Sequence, residues 1–331
     1  MYYIASKNTN PYFNLALEQY VFDKLDPAQS YFMLWQNHNS IIVGKHQNTV
    51  AEINAAFVKE RDITVARRLS GGGAVYHDLG NLNFTFITDA DQEKGIDFAA
   101  FCKPVQNALA SFGVDVNISG RNDMTIDGKK FSGNSQYVKH GRVMHHGTLM
   151  YDSDLSVVAQ ALNVSKDKIE SKGIKSVRSR ITNIRPYMTH TDVTTEIFWD
   201  SLKNYMFKAY DMNELELTVE DIENVKNLRD TFYSKWDWNY GKSPEYTIQK
   251  KRRIESCGTI EVLLDIEKAG KIRNISFFGD FFSKNDPEEI VTKFTECRYE
   301  RDEVKKILSH FDISDYFTNL DTETFISILF E

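Results

Sequence analysis

Apolar residues near the start of the chain change from helical to strand spacing. Residues 10–25 carry apolar side chains three and four positions apart, and Asn10-Pro11 is typical of a helix start. The β-prone runs at 31–35 and 40–43 are separated by a short polar segment, which predicts a hairpin. We therefore expect a short N-terminal strand, a helix and then two paired strands.

Three consecutive glycines, at positions 71–73, lie between two segments with strand patterns. Residues 51–60 predict a helix, and residues 63–68 and 81–87 predict strands, the second with alternating apolar positions. Antiparallel strands on either side of the glycines would place them at the edge or end of a sheet. Residues 98–112 then predict an amphipathic helix that ends at the following glycine.

The strongest turn signal is Asp127-Gly128, which predicts a hairpin between residues 122–126 and 129–132. Residues 143–151 again have an extended pattern. Helical patterns follow at 155–162 and 194–208. Because strands cluster and do not alternate regularly with helices, the pattern favours an α+β fold over a doubly wound parallel sheet.

The composition changes near the aromatic segment 236–244. After it, two strand patterns are joined at Ala269-Gly270, and several helical patterns follow. These elements are two strands at 259–267 and 271–278 and three helices at 287–296, 302–310 and 322–330. The pattern predicts a large domain at 1–243 and a small C-terminal domain at 244–331.

The composition is that of a globular protein. A length of 331 residues and 41% hydrophobic content suit one large domain with a small appendage. The sequence has no apolar run long enough to span a bilayer and no secretory leader pattern, so we expect a cytoplasmic protein. Cys102, Cys257 and Cys297 lie far apart without a Cys-x-x-Cys pair, which argues against disulfides and a zinc site.

Charge is distributed unevenly along the chain. The formal net charge is −7, whereas residues 121–185 contain 12 Lys and Arg against 6 Asp and Glu. The overall charge argues against binding to nucleic acid or to a membrane surface. The basic segment suits a polyanionic small ligand or a protein partner that is locally acidic.

The stretch at 67–78, Arg-Arg-Leu-Ser-Gly-Gly-Gly-Ala-Val-Tyr-His-Asp, is the most informative one for chemistry. Glycine loses more backbone freedom on folding than any other residue, so three in a row indicate a need for bare main chain. Main-chain N–H groups and a neighbouring guanidinium can surround phosphate or carboxylate oxygens. The spacing fits neither a Walker A loop nor a dinucleotide fingerprint. A solvated turn with two exposed arginines is the alternative that spacing alone leaves open.

Other candidate residues follow the glycines. Strand alternation places Lys129 and Lys130 on opposite faces without deciding which one faces a site. Asp123 could hold Mg²⁺ beside a phosphate, or it could accept hydrogen bonds in a turn. His145 and His146 lie on opposite sides of a strand, so they do not share one metal ion in the usual spacing. One of them could face a substrate while the other is structural.

Taken in order, these segments closely resemble the lipoate–protein ligase A family. The matching segments are 67–81, 120–123, 130–133, 145–149, 172–180 and 236–241, and the likeness continues into the C-terminal part. The resemblance implies an α+β fold like that of class II synthetases and biotin ligases. Mixed, largely antiparallel sheets would be flanked by helices, with a small C-terminal α+β accessory domain.

The resemblance also implies an ATP-dependent reaction with Mg²⁺ as the metal. Lipoate is activated to lipoyl-AMP with release of pyrophosphate, and the lipoyl group is then transferred to a specific lysine of an acceptor protein. Lys130 would be catalytic, Asp123 would hold the metal, and the segment 172–180 would close over adenylate. Residues expected at ATP or adenylate are Arg68, Ser70, Gly71, Gly72, Gly73, Ala74, Val75, Tyr76, Asn81, Lys130, Ser176 and Arg180. Those expected at lipoate are Arg68, His77, Lys130 and His146.

The acceptors implied are lipoyl domains of 2-oxoacid dehydrogenase E2 subunits, the glycine cleavage H protein, or both, and we expect a monomer. One alternative is an octanoyl or lipoyl amidotransferase of the same fold, which needs a cysteine at the site. The cysteines lie outside the glycine run, the Lys130 hairpin and the His145-His146 strand. The other alternative is a non-catalytic ligand-sensing module. Residues 134–139 depart from the family pattern, which bears on the acyl or acceptor preference.

Overall fold

The computed structural model describes residues 1–90, 97–119, 122–162, 180–241, 247–267, 270–295 and 297–330. The strands are β1 (Tyr2–Ala5), β2 (Tyr31–Trp35), β3 (Ser40–Val43), β4 (Thr64–Arg67), β5 (Val75–His77), β6 (Asn81–Asp89), β7 (Asn117–Ser119), β8 (Asp123–Ile126), β9 (Lys129–Lys139), β10 (Arg142–Met150), β11 (Asn213–Glu214), β12 (Ile248–Ile254), β13 (Gly258–Ile266) and β14 (Ile272–Gly279).

The helices flank these strands. They are α1 (Pro11–Lys24), α2 (Thr49–Glu52), α3 (Ala55–Glu60), α4 (Phe98–Ser111), α5 (Leu155–Ala161), α6 (Thr195–Tyr210), α7 (Val219–Leu228), α8 (Trp236–Asn239), α9 (Glu288–Phe294), α10 (Arg301–Leu308), α11 (Ile313–Tyr316) and α12 (Thr322–Phe330). Within the described ranges, no helix is long and apolar enough to cross a membrane.

Three sheets organise the described residues. The largest has eight strands in the order β11-β1-β2-β6-β10-β9-β8-β7, and most of its neighbouring strands are antiparallel. A second sheet, β4-β3-β5, carries the glycine run on the connection from β4 to β5. The third, β12-β13-β14, lies in the C-terminal part. This arrangement is the mixed, largely antiparallel α+β fold that the sequence predicts.

The N-terminal helix begins where the sequence predicts. The side chain of Asn10 accepts a hydrogen bond from the main-chain N–H of Phe13, and Pro11 occupies the first helical turn. The predicted hairpin after this helix is wrong, because β2 and β3 belong to different sheets. Each strand instead pairs with neighbours on both sides within its own sheet. Both strands are buried along their whole length, as is typical of such central positions.

The Asp127-Gly128 turn joins β8 to β9 as predicted, with both residues at positive φ. The helix predicted at 51–60 is two short helices, because the chain is extended at Ile53 and Asn54 between them. Asn54 caps the second of these helices by accepting from the main-chain N–H of Phe57. The other helices predicted before residue 241 lie within one or two residues of their expected positions.

The C-terminal part has its own apolar cluster, built from one face of its three-stranded sheet and from its helices. The two predicted strands are β13 and β14. The four consecutive cations at 250–253, which the sequence alone leaves as a solvated strand or a linker, lie in β12, where exposed and half-buried positions alternate. The boundary between 1–243 and 244–331 stays a prediction.

Candidate active site

Two different constraints act on the glycine run: a backbone conformation at Gly72 and a close neighbour at Gly71. Gly72 has φ +88°, a conformation that favours glycine. A Cβ on Gly71 would lie 2.3 Å from the carbonyl oxygen of Phe281, so the C-terminal part approaches the loop at this point. A Cβ on Gly73 would meet no described atom within 4 Å. Only the third glycine therefore presents bare main chain to open space.

Arg68 holds this loop from inside. Its Nε donates to Ser70 Oγ (3.1 Å), Nη1 to the carbonyl of Ile42 (3.1 Å), and Nη2 to the carbonyls of Gly71 (2.6 Å) and Gly73 (2.8 Å). Burial lowers the pKa of Arg68 to about 10, which leaves it cationic at neutral pH. The solvated turn that spacing left open is wrong, since Arg68 is 6% exposed. Four guanidinium hydrogen bonds therefore hold Arg68, three of them to the glycine loop and one to β3.

Arg67 performs a similar task on the opposite side of the strand. Its guanidinium donates to the carbonyls of Gly44, Lys45 and Gln47, which follow β3. It also donates to the carbonyl of Trp238 in α8 (2.8 Å). The sequence does not predict this role, because the partners lie 20 or more positions away along the chain. Adjacent arginines thus brace two separate loops.

Behind the loop lies a chain of buried polar side chains. Ser70 Oγ is 2.6 Å from His146 Nε2, and His146 Nδ1 is 3.0 Å from Glu18 Oε1. Thr85 Oγ1 donates to the same Glu18 oxygen at 2.5 Å, and Trp35 Nε1 donates to Thr85 Oγ1 at 2.9 Å. Together with Arg68, these five residues are called the buried polar chain below. The sequence analysis missed Glu18, Thr85 and Trp35.

Two buried donors beside this chain have no hydrogen-bond partner in the described part of the protein. Asn37 Oδ1 accepts from Asn14 Nδ2, which fixes the orientation of the Asn37 amide. Asn37 Nδ2 therefore donates to His77 Nδ1 (3.1 Å). His77 Nε2 therefore carries a hydrogen, and it is without a partner. Burial, aided by the charge of Arg68, lowers the pKa of His77 to about 3 and keeps it neutral. Asn83 Nδ2 is the second such donor.

A β-bulge turns Lys130 toward the same space. Met124 pairs with Ser132 but Thr125 pairs with Lys130, so Phe131 is an extra residue in β9 and enters the core. Lys130 Nζ lies 2.7 Å from Asp123 Oδ1, and the two side chains are 36% and 27% exposed. Lys129 is exposed. The bulge answers the question that strand alternation left open.

These groups line one cavity of about 550 Å³, counting its open mouth. It brings together the loop after β4, β5, the β8–β9 hairpin and β10. Seven predicted residues line it: Arg68, Gly73, Ala74, Val75, His77, Lys130 and His146. Lining residues that the sequence analysis did not propose include Leu15, Trp35, Asn83, Asn122, Asn134 and Ser135. Lys130 and the glycine run thus share one site.

The remaining predicted residues lie around or behind this cavity. Tyr76 points to the other face of β5, where its hydroxyl donates to Asn39, so only its main chain can face the cavity. Asn81 lies behind Asn83, to which its amide donates. The carbonyl of Arg180 accepts from the main-chain N–H of Lys130 at 2.7 Å. Ser176 and the rest of 163–179 fall outside the described residues.

The adjacent histidines of β10 have different surroundings, as their alternation predicts. His146 lines the cavity, whereas His145 is enclosed by the rings of Phe84, Phe98 and Phe101. Burial holds the pKa of His145 well below its usual value. Its Nδ1 accepts from Gln136, so its Nε2–H donates to Asn134 Oδ1 at 3.2 Å. His145 is a neutral structural group.

The cysteines lie away from the cavity. Cys102 and Cys257 are buried in two different apolar clusters, and burial raises the pKa of Cys102 to about 12. Cys297 lies in the C-terminal part, where burial raises the pKa of its thiol. None of the three lines the cavity, so none supplies a thiolate to it.

The α+β fold thus places a glycine loop and a lysine on one cavity. The sequence profile of the lipoyl protein ligase A/B catalytic domain matches residues 10–207. The profile of the bacterial lipoate protein ligase C-terminus matches residues 243–329. The chain therefore belongs to the lipoate–protein ligase family.

Named relatives extend over the full length of the chain. It is 44% identical to the lipoate-protein ligase LplJ of Bacillus subtilis, covering 100% of both chains. It is 40% identical to lipoate–protein ligase 1 of Staphylococcus aureus, covering 99% of this chain and 100% of the relative. The crystal structure of P. falciparum LipL1 in complex with lipoate superimposes with a TM-score of 0.79 at 24% identity, covering 98% and 97% of the two chains. That likeness confirms the fold.

Proposed function

We propose that this protein is an ATP-dependent lipoate–protein ligase that works at the cavity between the glycine loop and Lys130. The observation that carries this function is that one cavity presents an ammonium group and two buried donors without described partners. Buried polar groups are normally hydrogen-bonded, so the donors on His77 and Asn83 are matched to a ligand. Membership of the ligase family identifies the acid as lipoate.

In the first step, a carboxylate oxygen of lipoate attacks the α-phosphorus of ATP. The bond to pyrophosphate breaks, and a mixed anhydride, lipoyl-AMP, is formed. Lys130 places positive charge beside the carboxylate and the α-phosphate, where it stabilises the charge that develops on the phosphoryl oxygens. A Cβ on Gly73 would meet no described atom within 4 Å, so the main chain there leaves room for close approach of the nucleotide.

In the second step, the amine of an acceptor lysine attacks the acyl carbon of lipoyl-AMP. An amide forms, AMP leaves with the bonding electrons, and the amine gives up one proton to solvent. Lys130 again lies where it can stabilise the oxyanion of the tetrahedral intermediate. The reaction needs no covalent enzyme intermediate, which agrees with the remote positions of the cysteines.

Asp123, the ion-pair partner of Lys130, fits a magnesium ion that arrives with ATP. Mg²⁺ is usually held by one or two carboxylates together with substrate phosphates. Asp123 provides one such carboxylate, and the described residues contain no cluster of three or more His, Cys, Asp and Glu that could hold a metal alone. Asp123 would hold the ion, which would neutralise phosphate charge. The same proposal assigns Arg68, Ser70 and Arg180 to the binding of ATP or adenylate.

The acceptors we propose are lipoyl domains of 2-oxoacid dehydrogenase E2 subunits, the glycine cleavage H protein, or both. Acceptors of this class are expected to be acidic around the modified lysine, which suits the excess of cations at 121–185. Because the reaction consumes ATP, the cytoplasm stays the predicted compartment. A monomer stays the predicted state.

The test combines purified protein, ATP, Mg²⁺, lipoate and an apo lipoyl domain. We expect lipoate-dependent release of pyrophosphate and a mass increase on one acceptor lysine. Transfer from an acylated protein without ATP, blocked by alkylating a cysteine, would instead support the amidotransferase alternative. Nucleotide binding without pyrophosphate release for lipoate or octanoate would support a ligand sensor.

A further inference from the structure

The buried polar chain has a donor at each end that cannot act as an acceptor. At one end, the indole N–H of Trp35 donates to Thr85. At the other, the guanidinium Nε of Arg68 donates to Ser70. Indole and guanidinium nitrogens only donate, so the hydroxyls of Thr85 and Ser70 each receive one hydrogen bond there, and their own hydrogen is available for the next member of the chain.

These two hydroxyl donors leave one arrangement that satisfies every member. Thr85 donates to Glu18 Oε1, and Ser70 donates to His146 Nε2. His146 must then carry its hydrogen on Nδ1, where it donates to the Glu18 carboxylate. A doubly protonated His146 would leave the Ser70 hydroxyl hydrogen without an acceptor in the chain. Glu18 is thus the carboxylate on which hydrogen bonds from both ends converge.

The two ends of the chain meet different parts of the cavity. Trp35 and His146 form its wall, whereas Arg68 binds the carbonyls of Gly71 and Gly73 in the glycine loop. Glu18 is 1% exposed and does not itself appear in the cavity lining. The negative charge of Glu18 raises the pKa of Arg68, whereas burial lowers it. A carboxylate that touches no open space therefore supports both the wall and the loop.

We propose that Glu18 is a positioning residue for adenylation: through His146 and Ser70 it fixes the Arg68 guanidinium, and thereby the shape of the glycine loop that receives the nucleotide. This inference rests on the proposed function, because it assigns the loop to ATP. A carboxylate accepts hydrogen bonds from Thr85 and His146 with full negative charge, and charged hydrogen bonds in a buried site are the strong ones.

The first measurement concerns the tautomer of His146 in the wild-type protein. Nitrogen-15 NMR of the imidazole side chains, with His146 assigned from a His146→Gln spectrum, is expected to show a neutral ring with the hydrogen on Nδ1. A ring with the hydrogen on Nε2, or a doubly protonated ring at neutral pH, would overturn the proposal. This measurement needs no catalysis, so it stands even if the proposed ligase activity fails.

The second measurement uses Glu18→Gln and Ser70→Ala, alone and combined, in a lipoate-dependent pyrophosphate-release assay. Each single change is expected to lower kcat/KM for ATP about tenfold, as for loss of one hydrogen bond to a charged group. Ser70→Ala already breaks the link between Glu18 and the loop. The kcat/KM for ATP of the double variant should therefore be no lower than that of the less active single variant. Independent effects that multiply to about a hundredfold would overturn the proposal.

A matched control removes a buried hydroxyl outside the chain. Tyr151 is buried and its hydroxyl donates to the carbonyl of Val193 at 2.7 Å, so Tyr151→Phe should leave kcat/KM for ATP within twofold of wild type. If Glu18→Gln raises the KM for lipoate and leaves that for ATP unchanged, Glu18 merely shapes the acyl pocket and the proposal is wrong. If wild-type protein releases no pyrophosphate, the proposed function fails and the NMR result alone decides the role of Glu18.

Discussion

The two sides of the cavity are built in opposite ways. On the loop side, Glu18, His146, Ser70 and Arg68 are buried and hydrogen-bonded to one another. On the hairpin side, Lys130 has one ion pair, with Asp123, and both side chains are about a third exposed. Water screens such a pair, so it contributes only about 0–1 kcal/mol to stability. The loop side is fixed before substrate arrives, whereas the Lys130 ammonium can exchange its partner for substrate oxygens.

The largest effect is expected from Lys130→Ala. Loss of a single charge-stabilising donor typically lowers a rate by about 10²–10³, and here both steps depend on it. Pyrophosphate release and acceptor modification should fall together. Thermal unfolding should change little, because the side chain is partly exposed. Lys130→Arg is the control that keeps the charge, and a fully active Lys130→Ala would contradict the assignment.

Asp123→Asn should affect activity far more than stability. Displacing a reacting group by about 1 Å can cost about 10² in rate, and this change removes both the partner of Lys130 and the candidate magnesium ligand. The free energy of unfolding should change by less than about 1 kcal/mol, since the ion pair is partly solvated. If magnesium titrations give the same dependence as wild type, Asp123 only positions Lys130 and the metal assignment is wrong.

Two glycine substitutions separate the roles within the loop. Gly71→Ala places a Cβ against the carbonyl of Phe281, so it should weaken the contact with the C-terminal part, at a cost of about 1–3 kcal/mol. Gly73→Ala meets no described atom within 4 Å and should leave stability unchanged while raising the KM for ATP. Urea unfolding and limited proteolysis check the first effect, and steady-state kinetics checks the second. Equal stability losses in both would contradict this division.

The last effect is absent at neutral pH and appears only as the pH falls. Burial lowers the folded-state pKa of His77 to about 3 and holds that of His145 well below its usual value, so the unfolded chain binds more protons below pH 6.5. Stability is therefore complete above about pH 6.5 and falls as the pH is lowered toward 3, by up to about 1.4 kcal/mol per pH unit for each group. His77→Asn should flatten this slope in urea titrations. The surface variant His310→Asn should retain the wild-type slope.

Local patterns predicted those parts of the site that depend on neighbouring residues. The glycine run, the Asp127-Gly128 turn and the opposite faces of His145 and His146 are all readable over a few positions. The family resemblance singled out Lys130, and the structure places it at the cavity. Alternation could not do so, because the bulge at Phe131 shifts the register of β9.

Long-range contacts account for what the sequence did not show. Glu18 meets His146 across 128 positions, and Arg67 meets Trp238 across 171. No local spacing encodes such pairs. The glycines also illustrate this limit. Three in a row indicated close approach of a ligand, yet position 71 needs glycine because the carbonyl oxygen of Phe281 leaves no room for a Cβ. The false hairpin has the same origin, because sheet partners of β2 and β3 come from distant segments.

The most direct test is a crystal structure with a non-hydrolysable lipoyl-adenylate analogue. The central claim is that Lys130 and the glycine loop hold the same mixed anhydride. We expect the Lys130 ammonium within about 3 Å of the acyl–phosphoryl linkage, with His77 Nε2 donating to the ligand. Density for the analogue outside the cavity, with Lys130 still paired only to Asp123, would contradict the account.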